Sequence, residues 1–284
     1  MRPTDIPLLP RPSGLGDVAA APDLVATTVA MASSVTVKTP DRYGDTAAND
    51  QRALFGGAVA ARRPTGSAMT ALRQGLPELP LRMRALPRDD RGYPVPFFVA
   101  WIDGKPDFRV ADQAKLGACH NERRCWLCGE KLGRYMAFVI GPMCAVNRIS
   151  AEPPSHIECA RFAAQACPFL ARPKALRRAT GLPEDKIEPA GVMLPRNPGV
   201  ALVWVTRKYS LVRTRNGVLF EVGNPEQTFW YAEGRLASRA EVMESMQTGL
   251  PSLYEVAHAE GEQAVMELDT QVARATRLFP KHAA

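Results

Sequence analysis

An α+β fold is predicted for this chain of 284 residues by three features. Two hairpin signatures, Asp103-Gly104 and Asn216-Gly217, each join short runs rich in β-branched and aromatic residues, the chemistry of antiparallel pairing. A nearly continuous apolar run, GVALVWVT at 199–206, reads as a central strand. Beyond it the apolar period becomes helical, opening with a Ser238-x-x-Glu241 capping box. The expected order is a disordered N-terminal tail, an N-terminal β-hairpin, a cysteine-rich module, and an antiparallel sheet with C-terminal helices.

Residues 1–75 are rich in Ala, Thr, Ser, Pro and Gly, with Tyr43 and Phe55 as their only aromatics. Such a segment buries too little apolar area to offset its ordering entropy, so it is expected to be disordered, with a frayed helix near 49–61. An internal start at Met69 or Met83 would make the upstream residues a translated leader. Residues 76–171 form the next unit. Order is expected from about Tyr93, with strands at 97–102 and 107–110 and a short helix over 111–121. A Pro-, Arg- and Gly-rich linker at 172–196 separates this from 197–284. There, strands at 209–214, 218–222 and 228–232 join the central run in a sheet of three or four strands. A helix from Ser238 is expected to close at Gly249. A second helical stretch, 252–278, carries Leu253, Val256, Val265, Leu268, Val272 and Leu278, with an interruption at Gly261.

Apolar content of 46% and charged content of 23% are ordinary for a globular protein. No run approaches the roughly 18 apolar residues of a membrane span, and the N-terminus lacks a secretory pattern. A cytoplasmic, reducing location is the expectation, favouring thiolate–metal chemistry over disulfides. The net charge of +7 is unevenly placed: residues 119–178 hold ten basic and four acidic side chains, while 179–284 are slightly acidic.

All six cysteines and two of the four histidines fall within 119–170. Cys125 and Cys128 form a C-x2-C pair followed by Gly129, and His156 and Cys159 form an H-x2-C pair. Two short-spaced pairs of soft ligands are the pattern of a structural Zn2+ site, because each pair fits one tight turn and four ligands complete a tetrahedron. Gly129 suits the positive φ that a knuckle turn requires. A hairpin is expected between the pairs, with strands 135–140 and 144–149 turning at Gly141-Pro142. Ser155 would cap a helix carrying His156 and Cys159 on one face, with Glu158 reaching back. Cys167 lies about 12 Å further along that helix and is expected to be a buried apolar residue. Cys144 is the alternative ligand, replacing His156 in a four-cysteine site; Cys119 and His120 stand just ahead of the knuckle.

Knuckle, hairpin, and a helix whose first turn bears the second ligand pair: on Cys125, Cys128, His156 and Cys159, residues 125–170 resemble the treble-clef class of zinc fingers. The stretch with FVIGPMCAVNR and EPPSH.ECA…CPFL is also similar to uncharacterised proteins encoded by phages and bacteria, a resemblance that implies no activity. The treble-clef scaffold also hosts metal-dependent nucleases of the His-Asn-His type. Those place a catalytic His within the hairpin, and no His lies between Cys128 and His156. A deaminase would need H-x-E with P-C-x-x-C, which is missing. The expectation is a non-catalytic binding protein.

Nucleic acid is one expected partner, met through Arg123, Arg124, Trp126, Lys131, Arg134, Arg148 and Arg161, with Lys174, Arg177 and Arg178 beyond. In that reading Trp126 and Tyr135 stack on exposed bases. The competing reading of Trp126 is an aromatic packed into the module's own core. A protein partner, as for a phage or host accessory protein, is the alternative, with the zinc purely structural.

Overall fold

The computed structural model describes residues 35–37, 70–172, 176, 180–182, 197–214 and 217–281. Most of the expected tail and linker, and the Asn216 turn position, lie outside them. The strands are β1 (Val35–Val37), β2 (Val99–Ile102), β3 (Lys105–Asp112), β4 (Met136–Ile140), β5 (Ile149–Ser150), β6 (Ala201–Thr206), β7 (Tyr209–Thr214), β8 (Gly217–Val222), β9 (Gln227–Ala232) and β10 (Arg235–Leu236). The helices are α1 (Gln113–Asn121), α2 (Pro142–Asn147), α3 (Ile157–Ala166), α4 (Arg239–Glu260) and α5 (Glu262–Thr276). The predicted α+β class is the observed one.

Three sheets result. β2 and β3 form the first hairpin, turning at Asp103 and Gly104 with φ of 50° and 76°, the two positive values of a type I′ turn. β1 pairs in parallel with the far side of β3, bringing three residues of the N-terminal segment into a sheet. The central sheet has the order β10-β9-β6-β4 and is antiparallel throughout. The third, β5-β8-β7, contains the second expected hairpin, with Thr214 opposite Gly217.

β6 is buried along its whole length because both faces of the central sheet are covered. On one face Val203 and Val205 meet Ala160 and Ala164 of α3. On the other, Leu202 and Trp204 join a larger core with Met143 and Val146 of α2, Val242, Met246 and Leu253 of α4, and Leu268 and Val272 of α5. Burying each such large side chain contributes roughly 1.5–3 kcal/mol. This double covering turns the alternation expected of a half-exposed strand into the continuous apolar run. Trp204 Nε1 donates to the Gly223 carbonyl at 2.9 Å, so its polar edge is satisfied inside the core.

Three local expectations are corrected. The second strand of the inter-pair hairpin, expected at 144–149, is instead the short helix α2 followed by two residues of β5. Pro142 sits at N1, where its fixed φ is already helical and its missing N–H is not needed, and Arg148 ends the helix in the left-handed region. α4 does not stop at Gly249 but runs to Glu260, through Pro251. Gly249 answers to packing instead: a Cβ there would stand 2.8–3.0 Å from the Met143 side chain, so glycine lets α4 settle on α2. Order also precedes the expected start near Tyr93: Arg73 N–H donates to the Gly92 carbonyl at 3.0 Å.

Candidate metal centre

The four predicted ligands converge. The Sγ atoms of Cys125, Cys128 and Cys159 and a ring nitrogen of His156 all lie within 4.8 Å of one another. A zinc tetrahedron with sulfur at 2.3 Å and nitrogen near 2.05 Å has edges of about 3.6–3.8 Å, which a cluster of this spread can meet with small side-chain shifts.

The knuckle is built by its backbone. Cys125 N–H donates to the Glu130 carbonyl at 2.7 Å and Gly129 N–H returns to the Cys125 carbonyl at 2.9 Å, while Arg124 and Lys131 bridge as an antiparallel pair. Gly129 has φ +79°, and a Cβ on it would lie 2.6 Å from the Phe97 ring. Two independent constraints therefore require glycine there. The second pair enters from α3, whose N-cap is His156 with φ −64° and ψ 151°. Ser155, expected to be the cap, is instead the last extended residue. It exchanges two 2.8 Å backbone hydrogen bonds with Ala137, and its hydroxyl caps nothing.

The donors are tuned for a cation. Cys125 Sγ accepts backbone N–H bonds from Cys128 and His156, each at 3.4 Å. His156 Nε2 faces the Lys131 carbonyl at 3.1 Å, and a carbonyl only accepts, so Nε2 carries the proton. Nδ1 then faces Cys128 Sγ at 3.3 Å and would ligate on giving up its proton, while the Nε2 contact to Lys131 holds the ring. This is the outer hydrogen bond that fixes the tautomer of a ligating histidine. Burial alone would raise the Cys125 thiol, yet hydrogen bonds from Cys128, Cys159 and His156 hold it well below the usual thiol range. Cys159 is pushed up, first by hydrogen bonding to Cys125, then to Cys128. His156 is pushed up to about 10 by its bonds to Cys125 and Cys128. Protons are held where a divalent cation would compete for the same lone pairs. The residues fit a metal ion.

The alternative ligand does not join them. Cys144 is fully buried on α2, in the core beneath α4, whereas Cys125 and Cys159 belong to the core around Phe98 and Trp126. Cys119 is buried in that second core without entering the cluster, and burial raises its thiol. Cys167 is only partly buried, at the C-cap of α3.

The predicted nucleic-acid residues separate into groups. Arg123, Lys131 and Arg134 are exposed around the knuckle, beside Tyr135, which is 47% exposed. Arg124 is half-buried, paired with Glu122 at 2.6 Å and donating to the Gly129 carbonyl at 3.1 Å. Arg148 lies over the Trp204 ring and donates to the Val222 carbonyl and Asn224 Oδ1. Arg161 lies over Phe229 and donates to the Tyr231 hydroxyl. Trp126 is corrected outright: it is 4% exposed and stacks on Phe98 at 4.6 Å with planes 9° apart, so it offers no face to a base. Lys174, Arg177 and Arg178 lie outside the described residues.

One contributor had no sequence signal. Arg82 reaches both Glu130 on the knuckle, at 2.5 Å, and Glu158 on α3, at 3.1 Å, strapping the two ligand-bearing elements together from outside. Its partners lie 48 and 76 residues away, beyond any local pattern. Among the described residues no helix is long and apolar enough to cross a membrane. No family model matches the chain, and neither do any curated protein or solved structure.

Proposed function

We propose that the cluster binds zinc as a structural ion and that the protein is a non-catalytic binding protein contacting nucleic acid through the knuckle surface. The observation that carries the zinc reading is the donor set itself: three thiols and one imidazole within 4.8 Å, the imidazole oriented by the Lys131 carbonyl. Four protein ligands close a tetrahedron and leave no position for a substrate or an activated water. A knuckle followed by a helix-borne pair resembles a treble clef, its hairpin reduced to the bridge between Ala137 and Ser155. The ion joins the knuckle to the N-terminus of α3, and so to the central sheet. Elemental analysis tests this: one zinc per chain is expected, retained by Cys144→Ser and lost by His156→Ala and Cys159→Ser. Metal that survives loss of His156 but not of Cys144 would refute the assignment.

The nucleic-acid reading is supported by Arg123, Lys131 and Arg134, exposed together beside Tyr135. About three phosphate contacts release about three counterions, so log affinity is expected to fall with log salt at a slope of roughly −2 to −3. A slope near zero, or no binding at low salt, removes this reading. The alternative, a protein-binding accessory role of the kind phages use, draws support from β7. It is an edge strand among the described residues, with Leu211 and Val212 39% and 38% exposed. Leu211→Lys is expected to abolish such an association and to leave nucleic-acid affinity unchanged or raised.

A further inference from the structure

Lined in part by Trp126 and Leu127 of the knuckle, and by none of the four ligands, is a cavity of about 310 Å³. That is the lower end of the range for small-molecule sites. Its walls are mainly apolar and include several aromatic rings: Phe98 and Trp126, already stacked on each other, with Phe108 and Phe162. Such a surface takes a planar apolar body without further ordering, because the rings are held by their own packing.

Two polar groups set what else the occupant carries. Trp126 lines the cavity at 4% exposure, and its Nε1 is buried with no hydrogen-bond partner among the described residues. A buried N–H without a partner is costly, and the usual remedy is a ligand or a water that accepts from it. Arg91 lines the same cavity and is held there by Asp89, which accepts its Nε at 2.8 Å, and by Tyr93 and Phe108, whose rings lie 5.2 and 5.7 Å from the guanidinium carbon. Nη1 and Nη2 of Arg91 have no partner among the described residues. Arg109 is different: it is committed to Asp107 and to the carbonyls of Thr180 and Gly181. Glu152 also lines the wall and is engaged in an interaction of its own. Arg91 therefore supplies the guanidinium edge that remains to be used.

We infer that this cavity is a binding site for a small aromatic carboxylic acid. The ring system lies among Phe98, Trp126 and Phe162, the carboxylate meets Arg91 Nη1 and Nη2, and an acceptor atom of the ligand meets Trp126 Nε1. The paired geometry of a guanidinium edge favours a planar carboxylate over a point anion.

Calorimetric titration of the full chain with 2-naphthoate and with uncharged 2-naphthol tests this without reference to metal content. Both are expected to bind, the carboxylate more tightly. Arg91→Gln, at an exposed position that leaves the core intact, is expected to weaken 2-naphthoate about tenfold and to leave 2-naphthol unchanged. No binding of either compound up to millimolar concentration, or equal binding of both to wild type and Arg91→Gln, overturns the inference.

Discussion

Replacing Gly129 with alanine isolates what the knuckle turn demands of its backbone. The position has φ +79°, where an L-residue costs about 1–2 kcal/mol. The new Cβ would also meet three atoms of the Phe97 ring at 2.6, 2.9 and 3.2 Å, a clash relieved only by moving the ring, at about 1–3 kcal/mol. The expected loss is thus about 2–5 kcal/mol, read from urea midpoints of the metal-loaded chain. Phe97 N–H donates to the Leu127 carbonyl at 2.8 Å, so the ring cannot retreat without straining the turn before β2 that carries it. Gly133→Ala is the control: its φ is not positive and nothing lies within 4 Å of the added Cβ, so it is expected to change stability by less than about 0.5 kcal/mol. Phe97→Leu in the Gly129→Ala background separates the two causes, restoring the steric part and not the backbone part. A loss in Gly129→Ala no larger than in Gly133→Ala would refute the reasoning.

Further expectations concern the helices, the core and the charge pairs. Gly249→Val should cost about 1–3 kcal/mol by driving α4 off Met143, and Met143→Ala should recover part of it in a double-mutant cycle of denaturation midpoints. Trp204→Phe removes the donor from the half-buried Gly223 carbonyl and should cost about 1–3 kcal/mol, measured the same way. Glu241 is held down at about 2 by Arg235 and by the Ser238 backbone N–H, below its ordinary 4.5. A depressed carboxylate stabilises the fold above its unfolded pKa and loses that contribution as pH falls. The stability advantage of wild type over Glu241→Gln should therefore be full at pH 6–7 and shrink between about pH 4.5 and 2, followed by thermal melts across pH.

What was legible in the sequence was local. Asp103-Gly104 announces its turn because only a few residue types take positive φ cheaply, and the Ser238–Glu241 box forms within one turn, with both reciprocal bonds present. The ligand pairs were legible for the same reason, each having two residues between its members and a turn or helix start to span them. The segment 142–149 was not. Its residues suit strand or helix alike, and the outcome rests on β4 pairing with β6 on one edge, Met136 opposite Thr206, while Ser155 bridges Ala137 on the edge a hairpin return would use. With that strand went the case for Cys144. The basic surface was legible only as composition: whether an arginine faces solvent or lies over Trp204 or Phe229 is decided by residues far along the chain.

Trp126 and Leu127, between the two knuckle cysteines, and Ser155, next to His156, form part of the cavity wall. The same short segments thus answer to two equilibria. Thermodynamic reciprocity then applies: whatever factor an occupant of the cavity gains from an ordered knuckle, the ion gains from the occupant. The rate at which a chelator strips the protein becomes a reporter on the cavity, and a compound that slows the stripping does so without touching the metal.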